Sequence, residues 1–384
     1  MARVCAPPDP SPPDPSPPEP RPPEPRPPLA RSSAAGAASS PGHVLELTAI
    51  QAGAPGLRAS LARGGLTVLS WGWAFSQWLK RGAYACGLRR ATALDVPVLS
   101  VGNLAVGGTG KTPFVAWLVQ RLAADGHTPG ILARGYGASA GGGTTLNDEG
   151  RVLQHLLGAD VPQAQDGDRI RGGRALRAAH PEVDVVVLDD GFQHRRIHRD
   201  LDIVLLDATR PFGFGHLLPR GLLRERRSAL RRADAVVLTR TERVDAAAVE
   251  RIQSEIRRVH AGPLALARTE PAPPGLADEL SGASVFVLCG LGNPDAFLGT
   301  VADLGATVVG RRILGDHEVL PEAAWPDLLA EARAAGAECV LLTRKDAVKY
   351  ERLDPAVTVV DQAFHVHAGE AELLALARRA LARP

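Results

Sequence analysis

Short apolar segments alternate with amphipathic ones along most of the chain after residue 95. Aliphatic and β-branched runs predict buried strands, and apolar positions spaced three and four apart predict helices. The predicted strands are Val96–Val101, Gly130–Ala133, Val183–Leu188, Asp202–Leu206, Ala235–Thr239, Ser284–Cys289, Thr307–Gly310, Cys339–Leu342 and Val357–Val360. The predicted helices are Thr112–Ala124, Val244–His260, Pro321–Ala335 and Gly369–Arg383. This alternation predicts an α/β fold with a doubly wound, mostly parallel sheet.

The same pattern divides the chain into four parts. Residues 1–56 are rich in Pro, then in Ala, Ser and Gly, and are expected to form a disordered or polyproline-like tail. Residues 57–94 contain no Asp or Glu, and Trp71, Phe75 and Trp78 share one helical face there, so we expect a basic helix lying on an anionic membrane surface. A core-packing helix is the alternative. The Pro/Gly-rich stretch Glu270–Gly275 predicts a boundary between a domain at 95–275 and a smaller C-terminal α/β domain at 276–384.

The segment after the first predicted strand is a candidate phosphate-binding loop. A glycine-rich turn leads into Gly110-Lys111-Thr112 and then a helix, the order of a P-loop NTPase-like fold. Main-chain N–H groups of such a turn cradle phosphates, Lys111 would reach the β- and γ-phosphates, and the Thr112 hydroxyl would hold Mg²⁺. The predicted nucleotide-binding residues are Gly107, Gly108, Thr109, Gly110, Lys111 and Thr112.

Two details of this loop affect the interpretation. The usual pattern has glycine at the position that Ala105 occupies, so Gly107 and Gly108 are expected to supply the flexibility. Only four of the 44 basic residues are lysines, and one of these is Lys111. Since arginine is the default basic residue of this chain, a lysine at the P-loop position is unexpected by chance.

A pair of aspartates ends the predicted strand Val183–Leu188. In α/β sheets ligands bind at the carboxyl ends of strands, where P-loop enzymes place a second Mg²⁺ anchor. Asp189 and Asp190 are therefore candidate metal ligands. Adjacent residues point in different directions, so one is expected to bind metal while the other holds a loop or a water.

Composition excludes several function classes. The net charge of +2 does not indicate a nucleic-acid partner, and nothing in the sequence implies an obligate protein partner. Four scattered cysteines show no metal-binding or redox spacing. We find no uncharged apolar run long enough to span a membrane and no secretory signal in the first thirty residues.

These motifs, taken together, resemble one enzyme family. The segments SVGNLAVGGTGKTP, ARGYG, DDGFQHRRIHRDLDIVLLDATRPFG, LLPRGLLRE, LGDHEV and TRKDAVK are similar, in order, to those of the tetraacyldisaccharide 4′-kinases, the lipid A kinases. The resemblance runs from about residue 66 to the C-terminus. That family also tends to lack the first P-loop glycine.

The resemblance implies a reaction and a location. The γ-phosphate of ATP would pass, with Mg²⁺, to the 4′-hydroxyl of a tetraacylated glucosamine disaccharide 1-phosphate, giving lipid IVA. The enzyme would work at the cytoplasmic face of the bacterial inner membrane as a peripheral or monotopic protein, with its lipid substrate and the anionic membrane surface as partners.

The resemblance also implies residue roles. Lys111 and Thr112 match the phosphate and Mg²⁺ contacts, Asp189 and Asp190 match an acidic pair near Mg²⁺, and Asp190 is also counted as catalytic. In LLPRGLLRE, Glu225 matches a further acidic residue near the metal, and Arg224 would balance phosphate charge.

The general base is expected to be an aspartate paired with a histidine. The family has this aspartate in a G-D-E motif, and two stretches match it in part: Asn147-Asp148-Glu149 and Gly167-Asp168-Arg169. Asp148 is preferred because its spacing and the D-E pair fit better, and Asp168 is the reserve. The histidine would be His317. Such a base accepts the hydroxyl proton as the O–P bond forms.

Other functions compete with this interpretation. Thr343-Arg344-Lys345-Asp346 loosely resembles a guanine-reading N/T-K-x-D signature, which would suit a GTPase or a metallochaperone-like NTPase. A non-catalytic, membrane-bound nucleotide switch is a second alternative. A degenerate family member is a third, because Arg220 and Leu222 depart from the family's usual residues in LLPRGLLRE.

Overall fold

The computed structural model of the chain describes residues 49–135, 146–273, 275–291, 294–315 and 318–382. Most of the predicted tail, residues 1–48, lies outside this part of the chain, and so does His317. The last residues of the predicted tail are described, and Gln51 is buried there, with 5% of its surface exposed. The bounds of the tail, predicted from composition to reach residue 56, stay a prediction.

Eleven strands form one sheet in the order β3-β2-β4-β1-β5-β6-β7-β11-β10-β8-β9. In chain order they are β1 (Val98–Asn103), β2 (Pro129–Ala133), β3 (Gln163–Gln165), β4 (Val185–Asp189), β5 (Leu201–Asp207), β6 (Ala235–Thr239), β7 (Leu264–Ala272), β8 (Ser284–Cys289), β9 (Thr307–Ile313), β10 (Cys339–Thr343) and β11 (Val357–Ala368). Adjacent strands are parallel except for the antiparallel pair β7 and β11. The central strands β1, β4, β5 and β6 are buried along their whole length, as expected for strands covered on both faces.

Helices connect the strands. They are α1 (Leu57–Ala85), α2 (Lys111–Ala124), α3 (Asp148–Leu157), α4 (Arg169–Ala179), α5 (Ala246–Arg257), α6 (Leu276–Leu280), α7 (Pro294–Asp303), α8 (Trp325–Ala334), α9 (Arg344–Ala347) and α10 (Glu370–Leu381). Separate apolar clusters fill the two faces of the sheet, and one of them joins the P-loop helix α2 to the C-terminal helix α10.

The predicted α/β fold with a mostly parallel sheet is confirmed, and each predicted strand corresponds to an observed one. Two strands were not predicted. Strand β3 is short and polar, and β7 contains Pro271, a residue that argues against a strand. Because β7 pairs with β11, the sheet continues past the Pro/Gly-rich stretch at 270–275. The division into domains at that stretch stays a prediction.

The basic, Trp-rich segment forms the long helix α1. Its large apolar side chains are unusually exposed: Leu57, Leu61, Val68, Leu69, Trp71, Phe75, Trp78 and Leu79 all have at least half of their surface accessible. Within the described ranges, none of the helices combines the length and the apolar character needed to cross a bilayer. This exposure disfavours the alternative of a core-packing helix.

Candidate active site

The P-loop connects the end of β1 to the start of α2. Gly107 and Gly110 have φ angles of 120° and 77°, which favour glycine, so the predicted role of Gly107 in the turn is consistent with its backbone. Ala105 is 7% exposed and lies beside Leu223, with which it forms an isolated antiparallel bridge. Its methyl group packs in the apolar core, which explains how the loop tolerates alanine there.

Buried polar side chains fix the shape of this loop. The Asn103 side-chain amide donates to Thr109 Oγ1 at 3.2 Å, and Thr239 Oγ1 at the end of β6 donates to the Thr109 carbonyl at 3.0 Å. Gln193, from the turn after β4, donates to the Asn103 carbonyl at 2.9 Å. The loop is therefore held from three strand ends, which is the preorganisation that phosphate binding requires.

Close packing brings the acidic pair to the P-loop. In the parallel register Val101 of β1 lies opposite Asp189 of β4. A Cβ atom on Gly102 would lie only 2.5 Å from Phe192 Cβ, so glycine is required where the two strand ends meet. This contact places DDGFQH directly against the strand that leads into the P-loop.

Asp190 lies between two basic groups. Its Oδ1 is 3.6 Å from Lys111 Nζ, and its two carboxylate oxygens accept from Arg224 Nη1 at 2.9 and 2.8 Å. Burial disfavours the charged carboxylate, but Lys111 and Arg224 outweigh that effect and hold the pKa of Asp190 below its ordinary value. The residue has a φ of 54°, which turns the chain sharply after β4. The prediction that one aspartate holds a loop is consistent with this contact between Asp190 and Arg224.

Asp189 has a different environment. It is 8% exposed, and its Oδ1 has no hydrogen-bond partner among the described residues. Burial raises the pKa of Asp189 to about 6, opposed by Lys111 and reinforced by the charges of Asp190 and Glu149. A buried carboxylate oxygen without a partner is costly, so a cation beside Oδ1 would stabilise it.

The donors here fit Mg²⁺. Carboxylates and a hydroxyl are hard oxygen ligands, and Mg²⁺ typically takes one or two protein carboxylates and completes its shell with phosphate oxygens and water. Within the described ranges, no group of three or more His, Cys, Asp or Glu side chains forms a metal site by itself.

Glu225 is surrounded by arginines. Its carboxylate, 2% exposed as a residue, accepts from Arg232 at 2.6 and 2.9 Å and from Arg81 at 3.0 Å, and Arg195 lies 3.5 Å away. Burial disfavours its charge, but the three guanidinium groups lower its pKa overall. Both oxygens are thus engaged, and these contacts give no support to the metal role predicted for Glu225.

The two candidate bases differ in what their side chains do. Asp168 caps α4, where its Oδ1 accepts from the amide of Ile170 at 3.1 Å, and its Oδ2 lies 3.3 Å from Arg196 Nη1. Asp148 begins α3, which is capped instead by the side chain of Asn147. Glu149, the next residue, is close enough to raise the pKa of Asp189. The predicted partner His317 lies outside the described residues.

The segment that resembles a guanine-reading signature has other contacts. Asp346 is 3% exposed and accepts from the amide of Gly290 at 3.1 Å, Thr343 Oγ1 at 2.8 Å and Lys349 Nζ at 2.9 Å. A guanine-reading aspartate has to face the base, whereas the Asp346 carboxylate is buried and already accepts three hydrogen bonds from protein groups. The GTPase alternative loses its sequence support.

Comparison with known proteins decides the family. The profile described as "Tetraacyldisaccharide-1-P 4'-kinase" matches residues 62–380. The chain belongs to this family. A tetraacyldisaccharide 4′-kinase from Anaeromyxobacter sp. (strain Fw109-5) is 41% identical over 328 residues, covering 79% of this chain and 88% of the relative. Another, from Geobacter metallireducens, is 39% identical over 300 residues, covering 74% and 87%.

A solved structure agrees with the sequence relatives. LpxK from Aquifex aeolicus, crystallised in complex with ATP, superposes with a TM-score of 0.66 at 28% identity and covers 83% of this chain and 99% of its own. The tetraacyldisaccharide 4′-kinase family is thus supported by both sequence and fold, and the predicted resemblance is confirmed.

Several residues of this family member were not predicted from the sequence. Arg81, Arg195 and Arg232 surround Glu225, while Asn103 and Gln193 support the P-loop. The only sequence signal was indirect, since Gln193 lies in DDGFQH and Arg81 in the acid-free segment. Because arginines are frequent in this chain, the sequence does not show which of them pair with Glu225.

Proposed function

We propose that this chain transfers the γ-phosphoryl group of ATP to the 4′-hydroxyl of a tetraacylated glucosamine disaccharide 1-phosphate. The products are ADP and the 1,4′-bisphosphate, lipid IVA. The observation that carries the proposal is the contact between Lys111 of the P-loop and Asp190 of DDGFQH, in a chain of the tetraacyldisaccharide 4′-kinase family. The relative from Aquifex aeolicus in complex with ATP supports the choice of nucleotide.

Charge neutralisation is the first task of the site. Main-chain N–H groups of residues 107–112 and the N-terminus of α2 would bind the phosphates, with Lys111 on the β- and γ-oxygens. Asp189, Asp190 and Thr112 would hold Mg²⁺, which when bound neutralises charge on the same oxygens. Arg224 holds Asp190 in place and would add positive charge near the transferred group.

Proton removal is the second task. A sugar hydroxyl is a weak acid, so a base must accept its proton during attack, an effect of about 10²–10⁴-fold. We assign this role to Asp148, with His317 as its partner. The support is that Asp148 begins α3, where the next residue, Glu149, is close enough to Asp189 to raise its pKa, while Asp168 caps α4 and contacts Arg196.

Substrate delivery is the third task. The acyl chains of the substrate keep it in a membrane, and α1 presents exposed Trp, Phe and Leu side chains with basic residues between them. We propose that α1 lies in the headgroup region of the cytoplasmic face of the inner membrane. The site would then meet its lipid at the bilayer surface.

The test is transfer of label from γ-labelled ATP to the lipid disaccharide 1-phosphate in detergent micelles. Wild-type protein should label the lipid, and Lys111→Ala should abolish labelling because the phosphates lose their cation. Asp148→Asn should lower kcat at least about 100-fold, from the loss of general-base catalysis. Asp168→Asn is the matched control and should keep most of the activity.

Three results would contradict this proposal. No lipid labelling by folded wild-type protein would favour a nucleotide switch. A strong preference for GTP would favour the GTPase. A larger loss with Asp168→Asn than with Asp148→Asn would move the base to Asp168.

A further inference from the structure

The segment 217–225 lies between α1 and the P-loop. On its P-loop side, the amide of Arg224 donates to the Leu104 carbonyl at 2.9 Å, and the amide of Val106 donates to the Leu222 carbonyl at 2.8 Å. The Arg224 side chain continues from there to Asp190. The main chain of this segment therefore determines where the Arg224 guanidinium is placed.

On its other side the segment is fastened to α1 and the residues before it. Ser70 Oγ, in a residue that is 7% exposed, donates to the Leu217 carbonyl at 3.0 Å and accepts from the Arg220 amide at 3.1 Å. The Gln51 side chain donates to the Pro219 carbonyl at 2.7 Å. These contacts join the segment to a helix whose outer face is apolar.

One contact reaches the site residue itself. The indole Nε1–H of Trp73 donates to the main-chain carbonyl of Arg224 at 2.9 Å. Trp73 is 36% exposed, whereas Trp71 and Trp78 on the same helix are 67% and 66% exposed. The peptide groups on both sides of Arg224 Cα are thus held, its N–H by Leu104 and its C=O by Trp73.

We propose that Trp73 is a positioning residue for phosphoryl transfer, acting through Arg224. The proposal rests on the proposed function above. With the carbonyl of Arg224 fixed, the guanidinium keeps its two contacts with Asp190. Release of that carbonyl lets the segment rotate and weakens those contacts. Since Trp73 belongs to α1, a movement of α1 when it binds a membrane also moves the main chain at Arg224.

The experiment compares Trp73→Phe with wild type in the micelle assay with γ-labelled ATP. Phenylalanine keeps the aromatic bulk and removes the N–H donor. We expect kcat to fall about fivefold to tenfold, as for loss of one hydrogen bond, with KM for ATP unchanged. Trp78→Phe alters an indole of the same helix that has no hydrogen bond to the described residues, and its effect should fall on KM for the lipid.

A double-mutant cycle separates positioning from general damage. In the Arg224→Ala background, Trp73→Phe should cause no further loss of kcat, because the side chain through which it acts is gone. Hydrogen exchange at the Arg224 amide should become faster in Trp73→Phe. That measurement does not depend on catalysis.

The outcomes distinguish the two proposals. If wild-type protein does not label lipid, the proposed function fails, while faster exchange in Trp73→Phe would still show the mechanical link. If wild type labels lipid and Trp73→Phe keeps its kcat, the positioning role is wrong. An equal loss in the Arg224→Ala background would also overturn it, because the effect would then not pass through Arg224.

Discussion

At the scale of single residues, neighbours in the sequence have opposite electrostatic roles. Asp189 is buried with a pKa raised to about 6, while Asp190, next to Lys111 and Arg224, has a lowered pKa. Arg224 and Glu225 are also adjacent and point in different directions. Arg224 contacts Asp190, and Glu225 contacts three arginines. Function at this site depends on which direction each of two adjacent side chains takes.

Glu225→Gln should destabilise the fold. The neutral amide leaves Arg81, Arg195 and Arg232 close together without their carboxylate. We expect the free energy of unfolding to fall by about 1–3 kcal/mol, which is less than the cost of breaking a fully buried ion pair because the arginines are partly exposed. Denaturant unfolding measures it.

The matched control for this prediction is Glu255→Gln. Glu255 pairs with Arg227 at an exposed position, and that change should cost less than about 1 kcal/mol. Equal stability of the two variants would contradict the structural role of Glu225 and revive its assignment to the metal.

His194 should make stability depend on pH. Burial, then the nearby Arg169, Arg196 and Arg199, lowers its pKa to about 4, and Asp168 opposes them only in part. Because the folded value is below the ordinary one of 6.5, the unfolded chain takes up this proton first as pH falls. Stability from this residue is complete above pH 6.5 and is lost toward pH 4.

The variant that tests this is His194→Gln, which does not titrate. Between pH 7 and pH 5 the wild-type free energy of unfolding should fall by about 1–2 kcal/mol more than that of the variant. Denaturant unfolding at the two pH values gives the comparison. Parallel losses in both proteins would show that His194 does not contribute.

At the scale of elements, α1 differs from the other helices in the described part of the chain, because its large apolar side chains are exposed. Its inner face makes specific polar contacts through Ser70, Trp73 and Arg81. The helix is therefore fixed to the protein by hydrogen bonds, while its apolar surface remains available. Such a division suits a helix with a membrane on one side and an active site on the other.

Leu61→Ser combined with Leu69→Ser should weaken binding to vesicles of anionic phospholipid about tenfold or more. These side chains are 68% and 62% exposed, so the change removes apolar area from the proposed membrane face without opening a core. Sedimentation with vesicles measures binding.

Micelle activity of the same double variant provides the control, since the change should leave folding intact. Unchanged binding to the vesicles would exclude this face of α1 as the membrane contact.

At the scale of the whole molecule, the C-terminal half contacts the helix that bears the proposed base. Lys345 Nζ is 3.8 Å from Glu149 Oε1, and Arg151 donates to the Val348 carbonyl at 3.4 Å. The segment TRKDAVK thus lies against the start of α3. It supports the position of Asp148 from a distant part of the chain.

Lys345→Met should lower kcat about threefold to tenfold with little change in KM for ATP, because α3 loses an ion pair near the reacting groups. The labelled-ATP assay measures both constants. Arg352→Met, at an exposed position just beyond the same segment, should have no effect. Equal kcat values for Lys345→Met and wild type would mean that α3 does not need this contact.

Much of this was predictable from sequence, and the reasons are local. The P-loop, the aspartate pair and the buried strands depend on residue types at short spacings, so they can be recognised without a fold. Strand β7 could not be predicted, because Pro271 weakens its pattern and its partner β11 is far away in sequence. The ring of arginines around Glu225 was missed for the same reason, since it joins α1 to residues 195 and 232.

The sequence alone determined the α/β fold, the phosphate-binding loop and the family, because repeated apolar patterns and short motifs encode them directly. Only the tertiary structure decided that Asp190 pairs with Lys111 and Arg224, that Glu225 is held by arginines, and that Trp73 holds Arg224. These contacts join residues far apart in the chain. Tertiary packing decides which distant side chains meet, and local sequence patterns do not predict that packing.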